Sequence, residues 1–164
     1  SDKTQRKVLL AGKVEDMLNT VVRQIAFHNF ETRVHNARKE KELLREDFQA
    51  HWMATQTEAL GPAFNLNREE YGDYWSYIPH FIHVPFYVYA YAFGDGLVNA
   101  LYSVYAEGKE GFEDLYFDML KAGGSMHHSD LLKPFGLDAS DPAFWDKGLS
   151  MISGFIDELE AMEG

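Results

Sequence analysis

The sequence predicts an all-α fold. Three observations carry that prediction. Apolar residues in the first third recur at helical spacing. Glycine and proline fall where helices should stop and start. No stretch alternates apolar and polar residues between turn signals, as a half-buried strand would.

Five to six helices follow in order. Val8, Leu9, Val14, Met17, Leu18, Val21, Val22, Ile25 and Phe30 mark one long amphipathic helix from Lys3 to about Lys39, with a soft spot at Gly12. Its basic end, Arg33, Arg38 and Lys39, suits the negative end of a helix dipole. Glu40 to Leu60 reads as a second helix, with Leu43, Leu44, Phe48, Trp52 and Leu60 on its apolar side and Gly61-Pro62 as its stop. Ala63 to Tyr77 reads as a loop with short turns. Pro85 fits the first turn of a third helix, where its missing N–H costs nothing, and that helix reaches about Glu107. It is apolar nearly all round, so it is expected to be buried. Phe112 to Ala122, Asp130 to Phe135 and a last helix to about Glu163 complete the set. Asp141-Pro142 opens the last one as an N-cap followed by proline at the first helical position.

At 164 residues the chain reads as a single helical region, long enough for a buried core. Hydrophobic residues make up 46%, which argues against disorder. The net charge of -11 repels phosphate, so neither nucleic acid nor an anionic membrane is expected as a partner. There is no cysteine, so disulfides, thiolate zinc sites and cysteine nucleophiles are excluded. No apolar run reaches the roughly 20 residues of a membrane helix, and no signal peptide is read at the start. The first residue is Ser rather than Met, so a processed or cut product is expected. The expected location is the cytoplasm.

The motifs of several enzyme classes are missing. There is no His-Glu-x-x-His, no glycine-rich phosphate loop, no Gly-x-Ser-x-Gly and no EF-hand loop. His28, Glu31 and His35 share one helix face, but positions seven apart lie roughly 10 Å apart along the axis. That is too far for one ion on a straight helix, so hydrogen bonding along a polar stripe is the expectation. His127-His128 fits a capped helix start, and His51 a boundary position.

Aromatic residues are 15% of the chain and they cluster. Trp75, Tyr77, Phe81, Phe86, Tyr87, Tyr89, Tyr91 and Phe93 stand within one short stretch, together with His80 and His83. Along the expected helix Phe86, Ala90, Phe93, Leu97 and Leu101 form one stripe, and Tyr87, Tyr91, Val98, Tyr102 and Tyr105 the next. The cluster is either a core seam with satisfied hydroxyls or a donor set for a carbonyl oxygen or oxyanion.

The stretch from Ile78 to Gly94, Ile-Pro-His-Phe-Ile-His-Val-Pro-Phe-Tyr-Val-Tyr-Ala-Tyr-Ala-Phe-Gly, resembles the C-terminal part of oligoendopeptidase F, a zinc peptidase family related to thimet oligopeptidase. The likeness extends upstream to Arg23-Gln24, Phe27, Phe30-Glu31 and His35. Downstream it takes in Ala122-Gly123-Gly124-Ser125, Leu131-Leu132-Lys133, Gly136-Leu137-Asp138 and Phe144-Trp145 with Gly148-Leu149. It thus runs in order through nearly the whole chain.

The resemblance implies a helical enzyme that cleaves oligopeptides in an enclosed channel. It also implies zinc held by His-Glu-x-x-His and a later glutamate, and donors from the aromatic segment that bind substrate and stabilise the oxyanion. The zinc motif is absent here, so the expectation is the C-terminal part of the catalytic domain of a longer peptidase. Such a piece would bind no metal and be inactive alone. Its partners would be the missing upstream part and the oligopeptide. Carried over by position, His80, Tyr87 and Tyr89 are expected as substrate contacts and oxyanion donors, with His83 and Tyr91 as second choices. The spacing at His83-Val84-Pro85 is offset by a residue, which leaves the choice among Tyr87, Tyr89 and Tyr91 open. The rival expectation is a non-catalytic helical module that binds peptides or proteins. Self-association through exposed apolar surface is expected of either.

Overall fold

The computed structural model describes residues 2–163. It is all-α, and no strand forms among those residues. Eight α-helices run in order: α1 Lys3–Glu40, α2 Arg45–Leu60, α3 Arg68–Tyr71, α4 His80–His83, α5 Tyr89–Ala106, α6 Phe112–Ala122, α7 His128–Leu132 and α8 Pro142–Glu163. The number exceeds five to six because α3 and α4 are single turns that apolar periodicity cannot register. The chain divides into two compact units, one of residues 16–93 and one of residues 1–15 with 94–164.

The first of these carries the aromatic segment. Helix α1 continues through Gly12 without a break, and its last turn holds Arg38 and Lys39 against the helix dipole. Its buried positions within this unit are Met17, Val21, Ala26, Phe27, Phe30, Glu31 and Val34, a stripe at helical spacing that includes one carboxylate. Helix α2 begins at Arg45, later than the sequence predicts. The reason is a cap: Asp47 accepts from the Leu44 N–H at 2.9 Å and from Lys41 Nζ at 2.9 Å, which fixes Leu44 outside the helix. The bond from Lys41, followed by that from Leu44, holds the Asp47 carboxyl below its ordinary range. Gly61 ends α2 at φ 66°, a left-handed angle that favours glycine, and its N–H bonds Thr57. Phe27, Phe30, Val34, Leu43, Trp52, Ile78 and Val88 form the core, flanked by Phe48, Tyr71, Trp75 and Phe81. Burial raises the Tyr71 phenol above its ordinary value. Arg45 pairs with Asp73 through both carboxylate oxygens, which fixes the entry to the turn Tyr74–Tyr77. That bond holds the Asp73 carboxyl below its ordinary range.

In the other unit Ala100, Leu101 and Val104 of α5 pack with Leu132, Phe135, Leu137 and Phe144. Asp141 caps α8 as expected, accepting from the Ala143 N–H at 2.9 Å, and Pro142 is its first residue. The sequence predicts an α5 from Pro85 buried on all sides, and two details differ. The helix starts at Tyr89, and Val98, Tyr102 and Tyr105 are more than half exposed. The two tyrosine rings lie 6.2 Å apart, with Tyr105 at 5.4 Å from Phe112, and both side chains still reach solvent.

Close approach explains Gly96. A Cβ there would stand 2.9 Å from Cζ3 of the Trp145 ring. Trp145 cannot easily yield, because its Nε1 donates to the Ala139 carbonyl at 3.1 Å. Gly96→Ala is therefore expected to destabilise the chain by about 1–3 kcal/mol, read as a lower urea midpoint with an unchanged slope. An unchanged midpoint would show that the helices separate freely at this point.

Candidate functional site

Val88 anchors the segment that carries the candidate residues, since it is fully buried in the core. Upstream, Ile78 is buried in the same core, and Pro79 leads into the single turn α4 with His80 as its first residue. Between these anchors Val84 to Val88 is not helical, and Pro85 lies in a turn. Phe86 has φ 62°, the sole positive φ at a non-glycine among the described residues. Such a conformation costs about 1–3 kcal/mol for a residue with a Cβ. Its N–H donates to Oε1 of Glu31 at 2.8 Å. A hydrogen bond to a carboxylate contributes about 1.5–3 kcal/mol, enough to offset that strain.

This arrangement brings three of the predicted residues together. His80 Nε2 and the Tyr91 hydroxyl share a hydrogen bond of 3.0 Å, whose direction depends on the imidazole tautomer. The His80 and Tyr87 rings are parallel within 5°, with centroids 6.3 Å apart. Tyr87 meets Tyr91 edge to face at 5.6 Å. Tyr87 and Tyr91 are 47% and 40% exposed, so the cluster lies at the surface and not within the core. The cluster holds one imidazole and two phenols; the shared bond takes the proton of either His80 or Tyr91, which leaves the other and Tyr87 able to donate to a carbonyl oxygen.

Tyr89 is placed elsewhere. It lies two residues from both tyrosines, and its ring meets His28 at 6.3 Å. His83 is exposed; its main-chain N–H donates to the Pro79 carbonyl at 2.9 Å, and its side chain joins no hydrogen bond, ion pair or ring pair with the cluster. The helical spacing of Tyr87 and Tyr91 already put these two on one stripe.

The polar stripe of α1 has a different use from metal binding. His35 lies against the Phe86 ring at 4.5 Å, Glu31 bonds the Phe86 N–H, and His28 lies against Tyr89. All three side chains face the segment from Phe86 to Tyr89. No group of three or more His, Asp or Glu among the described residues could hold a metal ion. Glu31 is 2% exposed, and its second oxygen makes no hydrogen bond. Sequence reasoning gave it no role of its own. The signal was present: a carboxylate standing in the apolar stripe of Phe27, Phe30 and Val34.

Comparison with known proteins adds the context. The model of peptidase family M3 matches residues 1–151. Oligopeptidase PepF of Bacillus subtilis is 34% identical over 172 aligned positions, covering 98% of this chain and 24% of that protein. The oligoendopeptidase F homolog of Borreliella burgdorferi is 27% identical, covering 98% of this chain and 27% of its own length. Among solved structures, oligoendopeptidase-F from Enterococcus faecium superposes with a TM-score of 0.84 at 26% identity, over 99% of this chain and 31% of that one. A putative peptidase from Chlamydophila abortus superposes with a TM-score of 0.86 at 27% identity, over 99% of this chain and 27% of that one. The chain thus spans about a quarter of the length of the curated relatives it matches.

Proposed function

Because the chain belongs to peptidase family M3, we propose that it is the C-terminal part of the catalytic domain of a longer zinc-dependent endopeptidase acting on oligopeptides. The observation that carries this reading is the His80, Tyr87 and Tyr91 cluster, set in a chain whose family match runs from residue 1 to residue 151. In this reading the cluster meets the peptide backbone. His80 and Tyr91 hold each other in place through their shared hydrogen bond, and Tyr87 presents its hydroxyl alongside. That bond uses the proton of one of them, so the partner left with a free N–H or O–H donates to the carbonyl oxygen together with Tyr87 as the oxygen gains negative charge, and donors fixed in advance stabilise that charge without reorganising. Tyr91 stands beside His80, and this reading takes it as the second phenol of the cluster. Tyr89 and His83 are left as candidates for contact with the rest of the peptide.

Among the described residues, His28, Glu31 and His35 do not form a zinc site. Glu31 is committed to the Phe86 N–H, and His28 and His35 each lie against an aromatic ring. The zinc ligands are therefore assigned to the upstream part of the domain. Exposed apolar residues support an interface with that part: Val8 and Leu9 are 67% and 75% exposed, and Phe117 and Leu120 are also exposed. Separated from that part, the same surface favours self-association. The proposed location is the cytoplasm; among the described residues no helix is long and apolar enough to cross a membrane.

Zinc analysis and oligopeptide turnover of the 164-residue chain test the proposal. No bound zinc and no hydrolysis are expected from the chain, with chelator-sensitive hydrolysis from the longer protein. Stoichiometric zinc and hydrolysis in the 164-residue chain itself would refute it. Peptide binding by a longer protein that never cleaves would instead favour a non-catalytic binding module.

A further inference from the structure

We infer that Glu31 is a positioning residue for the His80, Tyr87 and Tyr91 cluster, holding the segment that carries the donors from a helix 55 residues away in sequence. The inference rests on the proposed peptidase reading for its kinetic consequence. Three observations support it. Glu31 is a carboxylate buried to 2% exposure, and a charged group is rarely buried without a specific partner. Its partner is a main-chain N–H at 2.8 Å, not another side chain. That N–H belongs to Phe86, the single non-glycine among the described residues with a positive φ.

The position of Phe86 gives the bond its consequence. It lies between His80 and the start of α5, and Tyr87 follows it directly. The direction in which the chain leaves Phe86 decides where the Tyr87 ring stands against His80. It also sets the register at which α5 delivers Tyr91 to His80 Nε2. Phenylalanine does not favour a left-handed φ, so the conformation needs an external hold. Glu31 Oε1 supplies it. His35, at 4.5 Å from the Phe86 ring, secures the side chain on the same helix face. Glu31 touches none of the reacting atoms, so its effect passes through the cluster.

The test uses the longer protein for kinetics and the 164-residue chain for spectroscopy. Glu31→Ala is expected to lower kcat/KM for an oligopeptide by about tenfold to a hundredfold, mainly through kcat, as misplaced catalytic groups do. Glu31→Gln keeps an oxygen for the Phe86 N–H and is expected to recover most of the loss. In a Phe86→Gly background the residue adopts the left-handed angle at no steric cost, so Glu31→Ala should cost less there than in the parent sequence. A purely structural role would lower the melting temperature yet leave kcat per folded molecule unchanged, and would overturn the inference. So would equal losses in both backgrounds.

The spectroscopic arm is independent of activity. In the isotope-labelled chain, Glu31→Ala should shift the imidazole resonances of His80 and the ring resonances of Tyr91. Unmoved resonances would contradict the inference even if activity fell. Shifted resonances in a longer protein that cleaves no peptide would uphold Glu31's role and overturn the peptidase reading instead.

Discussion

Trp52→Ala is expected to destabilise the fold by about 3–5 kcal/mol. Trp52 is 1% exposed and is the largest fully buried side chain. Its ring meets Phe30 edge to face at 5.3 Å, Phe27 at 5.5 Å, Tyr71 at 5.7 Å and Phe81 at 6.4 Å. Truncation removes contacts to four aromatic rings at once, and neighbours this rigid cannot collapse into the space. For a chain of this size the midpoint of the range corresponds to roughly 8–16 °C in melting temperature. The indole Nε1 is buried and makes no hydrogen bond, so the ring's value here is packing alone. Trp52→Phe removes that unbonded donor while keeping a ring, and should cost well under half as much. Near-ultraviolet circular dichroism during urea unfolding measures both variants. A loss for alanine within the range of surface substitutions would show that this core is loosely packed. Phe81 follows His80 directly, so the same packing also fixes the base of the candidate site.

Much of this fold is legible in the sequence because its signals are local. Gly61-Pro62 stops a helix through a left-handed angle and a missing donor, and Asp141-Pro142 starts one through a side-chain cap. Both devices act within a few residues. Pro85 was open to misreading for the same reason. Proline fits the first turn of a helix and equally a tight turn, and local rules do not separate the two. What decides is Glu31, whose bond to the next residue comes from a distant helix. The apparent burial of α5 fails on similar grounds. A helix rich in tyrosine looks apolar on a hydropathy scale, yet each phenol has an end that tolerates water, and Tyr102 and Tyr105 use it. The grouping of His80, Tyr87 and Tyr91 is partly legible. Helical spacing alone set Tyr87 and Tyr91 on one stripe, whereas family likeness ranked Tyr89 above Tyr91. The hydrogen bond between Tyr91 and His80 places Tyr91 in the cluster. In the sequence Glu31 reads as one more charge on the polar stripe of His28 and His35. Its place among Phe27, Phe30 and Val34 was the informative feature.

The second large effect concerns His80 in the longer protein. His80→Ala removes the imidazole that bonds Tyr91 at 3.0 Å and lies parallel to Tyr87. Losing one such donor typically lowers turnover by about 10²–10³, or roughly 2.7–4 kcal/mol of transition-state stabilisation. The loss should fall on kcat more than on KM, because the charge on the oxygen develops only as the reaction proceeds. Stability should change little, since His80 is half-buried at the edge of the core and not within it. Tyr91→Phe should share part of the same loss, and the double variant should lose less than the sum, because the two residues support each other. In the proposed function this chain brings the carbonyl-facing donors of a peptidase site. The most direct test is kcat/KM of the longer protein with His80→Ala against wild type, on an internally quenched oligopeptide. A fall of about 10²–10³ is expected, with the melting temperature nearly unchanged. Wild-type kcat/KM in the variant, or a loss explained by unfolding alone, would contradict it.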